Sequence, residues 1–129
     1  MKKENENAKF EMSWKKNVGV MIRRGEIYWV NLNDARGYET NNPHPCVVIS
    51  NDIQNQIGKR IMIAPLTSKV KKKYPFEVVI EKLKSKVMLD QVRVITVGRL
   101  ERKVSWLTRK EMEEIDLALH VAFGIRFCP

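Results

Sequence analysis

From Glu26 to Ile95 the chain alternates short runs rich in Val, Ile and aromatic residues with stretches that turn it back, and this alternation most constrains its fold. The runs are EIYWVNL, PCVVIS, RIMIAPL, FEVVI and VMLDQVRVI. β-Branched and aromatic side chains suit a pleated, half-buried surface. The intervening stretches NDARGYETNNPHP, NDIQNQIGK and SKVKKKYP hold the Gly, Pro, Asn and Asp residues that favour chain reversal. Strands this short, joined by such loops, predict a compact antiparallel sheet or small barrel.

One helix is expected near the end. Thr108-Arg109-Lys110-Glu111 has the form of a capping box, in which a hydroxyl accepts from the amide at Glu111 and that carboxylate reaches back. Met112, Ile115, Leu119 and Ala122 follow at helical spacing, an apolar stripe suited to packing on the sheet, and Gly124 is a natural stop. The expected class is mainly β with a C-terminal α element.

A chain of 129 residues makes one domain. Residues 1–22 are polar and lack periodicity, so they read as a flexible extension, with the domain spanning 23–129. Patterned sequence begins at Met21, which makes Met12 and Met21 candidate alternative starts. A formal net charge of +9 favours an anionic partner, nucleic acid first and an acidic protein second. No apolar run reaches the ~18 residues of a membrane span, and no secretory apolar core follows the N-terminal lysines, so the chain reads as cytoplasmic. Cys46 and Cys128 are isolated and only two histidines are present, which argues against a metal site and leaves acid–base chemistry without a cofactor. Cys46, within an apolar run, reads as a small core residue, and Trp29 and Trp106 as core or interface aromatics, core being favoured.

Three stretches could carry chemistry. The first is the loop Gly37 to Pro45, where His44 lies between two prolines and Glu39 stands close enough in sequence to orient it or share its acid–base work. The second is Thr67-Ser68-Lys69 followed by Lys71, Lys72, Lys73 and Tyr74, which combines hydroxyl and ammonium donors for phosphate with a ring for stacking bases; its bland counterpart is a solvated charged hairpin. In the third, Asp90-Gln91-Val92-Arg93, strand alternation puts Asp90 on one face and Gln91 and Arg93 on the other. Asp90 there either satisfies backbone amides or fixes a basic group.

In their joint order these segments resemble the MazF/PemK (Kid) family of toxin ribonucleases from toxin–antitoxin pairs. The resemblance runs from about Arg23 to Gly124 and rests on RRGEIYWVNL, G-x-E before P-x-VVISND, IAPLTSK, YPFEVV, LDQVRVI, GRL and the final L-T-x-x-E-M-x-E-I-D-x-A-L helix. It implies an SH3-like barrel of the CcdB/MazF type with a C-terminal helix, a homodimer, and sequence-selective cleavage of single-stranded RNA to 2′,3′-cyclic phosphate and 5′-OH ends without a metal. It also implies a cognate antitoxin whose acidic tail occupies the RNA groove. Carried over by position, the family's hydroxyl falls on Thr67, its loop glutamate on Glu39 and its strand acid on Asp90. His44 stands where the family usually has a catalytic arginine, and Thr96 where it has an acid.

The expected catalytic set is Glu39, His44 and Thr67. Expected RNA contacts are Arg36, Ser68, Lys69, Lys71, Lys72, Lys73, Tyr74, Asp90, Gln91 and Arg93. The alternatives are a barrel that binds RNA or antitoxin without cutting, and a poison of a DNA topoisomerase like CcdB. RNA cleavage by the purified protein separates the first reading from both.

Overall fold

The structure, a computed structural model, describes residues 21–33, 36–39 and 43–126. Residues 1–20, including Met12, and the C-terminal Cys128 lie outside the described residues. Among the described residues seven strands appear: β1 (Glu26–Val30), β2 (His44–Val48), β3 (Arg60–Thr67), β4 (Glu77–Ile80), β5 (Ser85–Met88), β6 (Arg93–Thr96) and β7 (Leu100–Trp106). Two α-helices join them, α1 (Asp52–Ile57) and α2 (Arg109–Phe123). The strands pair in the order β4-β5-β3-β2-β1-β7, with β6 also on β3, and every pairing is antiparallel. The expected class, antiparallel β with a C-terminal helix, is the observed one. Among the described residues no helix is long and apolar enough to cross a membrane.

Alternation along the strands divides the core in two. Ile27, Val47, Ala64, Leu66 and Val87 face one side with Ile115 and Ala118 of α2. Ile22, Tyr28, Val30, Cys46, Val48, Ile61, Ile63 and Ile95 fill the other. Side chains at successive strand positions point to opposite faces, so the apolar run Cys46 to Ile49 serves both cores at once. Ile22, placed in the extension by its sequence, already packs in the second core.

β3 holds three partners because its outer edge is shared. Arg60 to Ile63 pair with β6, whereas Leu66 and Thr67 pair with β5. The Met62 carbonyl accepts from Ile49, on the β2 side. Backbone groups alternate along a strand, so position 65 faces the outer edge, and Pro65 has no amide hydrogen to offer there. The ladder changes partner at the residue that cannot donate to it.

Four details depart from the sequence reading. NDIQNQIGK is not a simple turn: Asn51 caps α1 by accepting from the Gln54 amide, and Gly58 ends it, where a Cβ would meet the carbonyls of Gln54 and Arg60 at 2.8 Å. VMLDQVRVI is two strands split by a 3₁₀ turn at Leu89–Gln91, so strand alternation does not extend through Asp90. LERKVSW, too charged to read as a strand, pairs with β1 as β7, an edge strand with exposed side chains on both faces. Trp106 is 62% exposed rather than core, with the Lys103 ammonium 5.7 Å from its ring.

The two ends of the sheet path are drawn together by Lys82. It follows β4, donates to the Trp106 carbonyl at 2.9 Å and pairs with Glu111 in the first turn of α2 at 3.1 Å. The capping box forms as expected, with Thr108 Oγ1 accepting from the Glu111 amide and Glu111 accepting from the Thr108 amide, and Gly124 closes the helix at φ 66°. Burial pulls the Glu111 carboxyl upward, but hydrogen bonds from the Thr108 amide, Lys82 and the Thr108 hydroxyl outweigh it and hold the group below its ordinary value of 4.5.

A folded-state value below the unfolded one makes ionised Glu111 stabilising above pH 4.5, an effect lost as pH falls through the folded value. Glu111→Gln should therefore cost about 0.5–1 kcal/mol at pH 7. Thermal melts across pH should show that gap closing in acid; a gap that persists unchanged at low pH would assign the loss to the cap alone.

Candidate active site at the ends of β2 and β3

His44 was expected in a loop. It is instead the first residue of β2, paired with Val30. The β2–β3 register sets Cys46 against Pro65, and two further positions along it bring His44 opposite Thr67. The His44 Nε2 lies against the Leu66 carbonyl. A carbonyl only accepts, so Nε2 carries a proton and donates, and Nδ1 is the nitrogen left for chemistry. Thr67 ends β3, half-buried, with its Oγ1 accepting from the Lys69 amide at 3.2 Å and so shaping the turn that begins the basic loop.

His44, Thr67 and Arg93 share a face. They stand two or four positions from Cys46, Ile63 and Ile95, all of the second core, and even spacing along a strand keeps side chains on one side. The electrostatics agree: burial pushes the Cys46 thiol up to about 12, and the Arg93 charge offsets part of that rise. Cys46 is the small core residue it was expected to be, fully buried.

Beside these strand ends lies a cavity of about 160 Å³ lined by Leu32, Glu39, Pro65, Asp90, Gln91, Val92 and Arg93. The 3₁₀ turn at Leu89–Gln91 carries Asp90 round to the side occupied by Arg93, which a continuous strand would not do. The opposite-face reading of Asp90 and Arg93 is thereby corrected: both line one cavity. Glu39 reaches it from the loop after β1, where its carboxylate accepts from the Arg36 amide at 2.7 Å and its own amide donates to the Arg36 carbonyl. Gly37, at φ 61°, makes the turn between them. Arg36 itself is exposed.

The basic loop between β3 and β4 is drawn in two directions. Ser68, Lys69, Lys71 and Lys72 are exposed beyond Thr67. Lys73 lines a different groove, between β4 and α2, with Glu81, Glu111 and Glu114. Tyr74, expected to offer a ring for stacking bases, stacks on Phe76, with centroids 5.3 Å apart and planes 4° from parallel, and the Lys72 ammonium lies 5.7 Å from it. Two residues escaped the sequence reading. Lys86 on β5 is the register partner of Thr67 and is buried, and Arg99, before β7, donates to the Asn31 carbonyl beside Leu32. A lysine in the short apolar strand SKVM was the one available signal for the first.

Residues 23–123 match the family described as PemK-like, MazF-like toxins of type II toxin–antitoxin systems. The chain belongs to that family. Its fold is also that of solved family structures. An endoribonuclease from a mycobacterial species superposes with a TM-score of 0.72 at 20% identity, over 84% of this chain and 97% of that one. MazF from Deinococcus radiodurans gives 0.72 at 23%, over 82% and 99%. A mycobacterial endoribonuclease in complex with its cognate antitoxin gives 0.71 at 23%, over 83% and 99%.

Burial and the raised thiol value make Cys46 inert while the protein is folded. A thiol reagent at pH 8 should label Cys46 orders of magnitude faster in denaturant than in the native state, read by peptide mass. Rapid native labelling would mean that the β2–β3 packing beneath His44 is open.

Proposed function

We propose that this MazF/PemK-family chain is the toxin of a type II toxin–antitoxin pair and acts in the cytoplasm as a metal-independent endoribonuclease on single-stranded RNA. The domain read from the sequence as 23–129 takes in Ile22 as well, through its packing in the second core, and follows an N-terminal extension. The observation that carries the reading is the convergence of His44 and Thr67 on adjoining strand ends, on the face that bears Arg93, next to a cavity holding Glu39 and Asp90.

The reaction begins with attack of a ribose 2′-OH on the neighbouring phosphate, which breaks the bond to the 5′ oxygen and leaves a 2′,3′-cyclic phosphate and a 5′-OH. The substrate supplies the nucleophile, so the protein supplies a base, an acid and donors for the charge on the phosphorane. Glu39 and His44 divide the proton transfers, His44 through Nδ1. Thr67 Oγ1 holds a phosphate oxygen. Arg93 provides the permanent positive charge, which matters here because neutral histidine at position 44 has none. Lys69 adds to it, while Arg36, Ser68, Lys71 and Lys72 extend the phosphate track and Gln91 contacts the bound strand. Asp90 orients Arg93. Lys73 and Tyr74, turned toward β4, contribute field and loop shape rather than direct contact. The relatives solved in complex with an antitoxin support an antitoxin as partner; an acidic antitoxin tail competing with RNA and a homodimer as the working assembly complete the proposal.

The test is cleavage of a long unstructured RNA in EDTA with mapping of the ends. Cuts should end in cyclic phosphate, and DNA of the same sequence should remain whole. His44→Gln keeps a donor for Leu66 but removes the Nδ1 function, and kcat should fall by about two to four orders of magnitude with RNA affinity nearly unchanged. Thr67→Ala should also abolish most cleavage. Equal losses of binding and cleavage in His44→Gln would remove His44 from the chemistry, and intact RNA with binding retained would leave a binding barrel.

A further inference from the structure

Lys86 is only 7% exposed, yet it lies beneath a loop that already carries Lys69, Lys71, Lys72 and Lys73. Its ammonium donates to Glu77 Oε1 at 2.8 Å and to the Lys72 carbonyl, and it lies 6.0 Å from the Tyr74 ring. Glu77, equally buried, accepts at the same oxygen from the Tyr74 amide at 2.9 Å, and its amide returns a bond to the Tyr74 carbonyl at 2.9 Å. The pair thus grips the loop at Lys72 and at Tyr74. Its other end is the site: Lys86 faces Thr67 across the β3–β5 ladder, where cross-strand partners share a side of the sheet.

We propose that the buried Lys86–Glu77 pair is a positioning device that holds the Lys69–Tyr74 loop over Thr67 in the shape that receives the RNA backbone; this rests on the ribonuclease reading above. A buried ion pair is a poor way to add stability, because desolvating both charges consumes most of their attraction and apolar residues of similar size pack as well or better. What an ion pair adds is direction. Three of the four hydrogen bonds here end on the backbone of a loop whose like charges would otherwise spread it, at the Lys72 carbonyl and at the Tyr74 amide and carbonyl. A bound phosphate chain relieves that repulsion only when it arrives, so a loop shaped in advance binds RNA with less ordering left to do.

The experiment compares Lys86→Met, Lys86→Met with Glu77→Gln, and Lys86→Arg in the full chain, with thermal melting, steady-state cleavage of a short single-stranded RNA and limited trypsin digestion at Lys71 and Lys72. Lys86→Met strands the Glu77 charge and should lower Tm; the double variant removes that charge and should regain it. Both should raise KM about tenfold with kcat within about twofold, and both should be cut faster by trypsin. Lys86→Arg should recover part of the KM. A double variant with wild-type Tm and wild-type KM would overturn the proposal, since the pair would then serve packing alone. Unchanged trypsin cleavage in the double variant would overturn it too, whatever the RNA result. A wild type that cuts no RNA, with trypsin cleavage accelerated in the double variant, would bring down the ribonuclease reading and leave the clasp standing.

Discussion

β3 carries one ladder on its inner edge and two on its outer edge, and Pro65 stands where the outer ladder passes from β6 to β5. Most of the molecule's organisation follows from that shared strand. Its two faces feed two cores, so the same eight residues anchor α2 on one side and the Tyr28–Ile95 cluster on the other. The break at Pro65 lets the chain from Leu89 to Val92 lie against the edge outside the β-ladder, and Asp90, Gln91 and Val92 form one wall of the cavity. At the far end of β3, Leu66 offers its carbonyl to His44 and Thr67 presents its hydroxyl. One strand therefore sets both the packing and the relative positions of the groups proposed to act.

Much of this was legible in the sequence. The β-rich runs located β1 to β6, and the capping box and apolar stripe located α2, because those signals are local. β7 was not legible: a strand of Glu, Arg, Lys and Ser at a sheet edge owes its conformation to β1, not to its own residues. The short helix α1 lay hidden in a turn-like composition, since Asn, Asp and Gly both reverse chains and cap helices. Trp106 shows the same limit, for nothing local distinguishes an aromatic residue in the core from one held outside by a lysine.

The candidate site divides similarly. Glu39, His44 and Thr67 could be named from residue type and resemblance. The nitrogen through which His44 acts and the side on which Asp90 stands could not, because both depend on backbone groups and register. The Leu66 carbonyl fixes which nitrogen of His44 is free, and a 3₁₀ turn rather than a strand brings Asp90 beside Arg93. Lys86 eluded sequence reading for a further reason: in a chain with many lysines, its place in the strand SKVM is a faint sign that it alone among the described residues' lysines is buried.

β1, the first strand, lies between β2 and β7, the last, and Arg24 just before it donates to the Ile49 carbonyl and to Asp116 of α2. The sheet thus closes only when residues about eighty positions apart meet, a long-range pairing that is slow to form. A ribosome must release β7 and α2 before β1 has its second neighbour and the first core its helical cover. An emerging fragment that lacks β7 and α2 holds the β2–β3 register of His44 and Thr67 without the second neighbour of β1 or the helical cover of the first core, so the local geometry of the site is encoded before its support is complete.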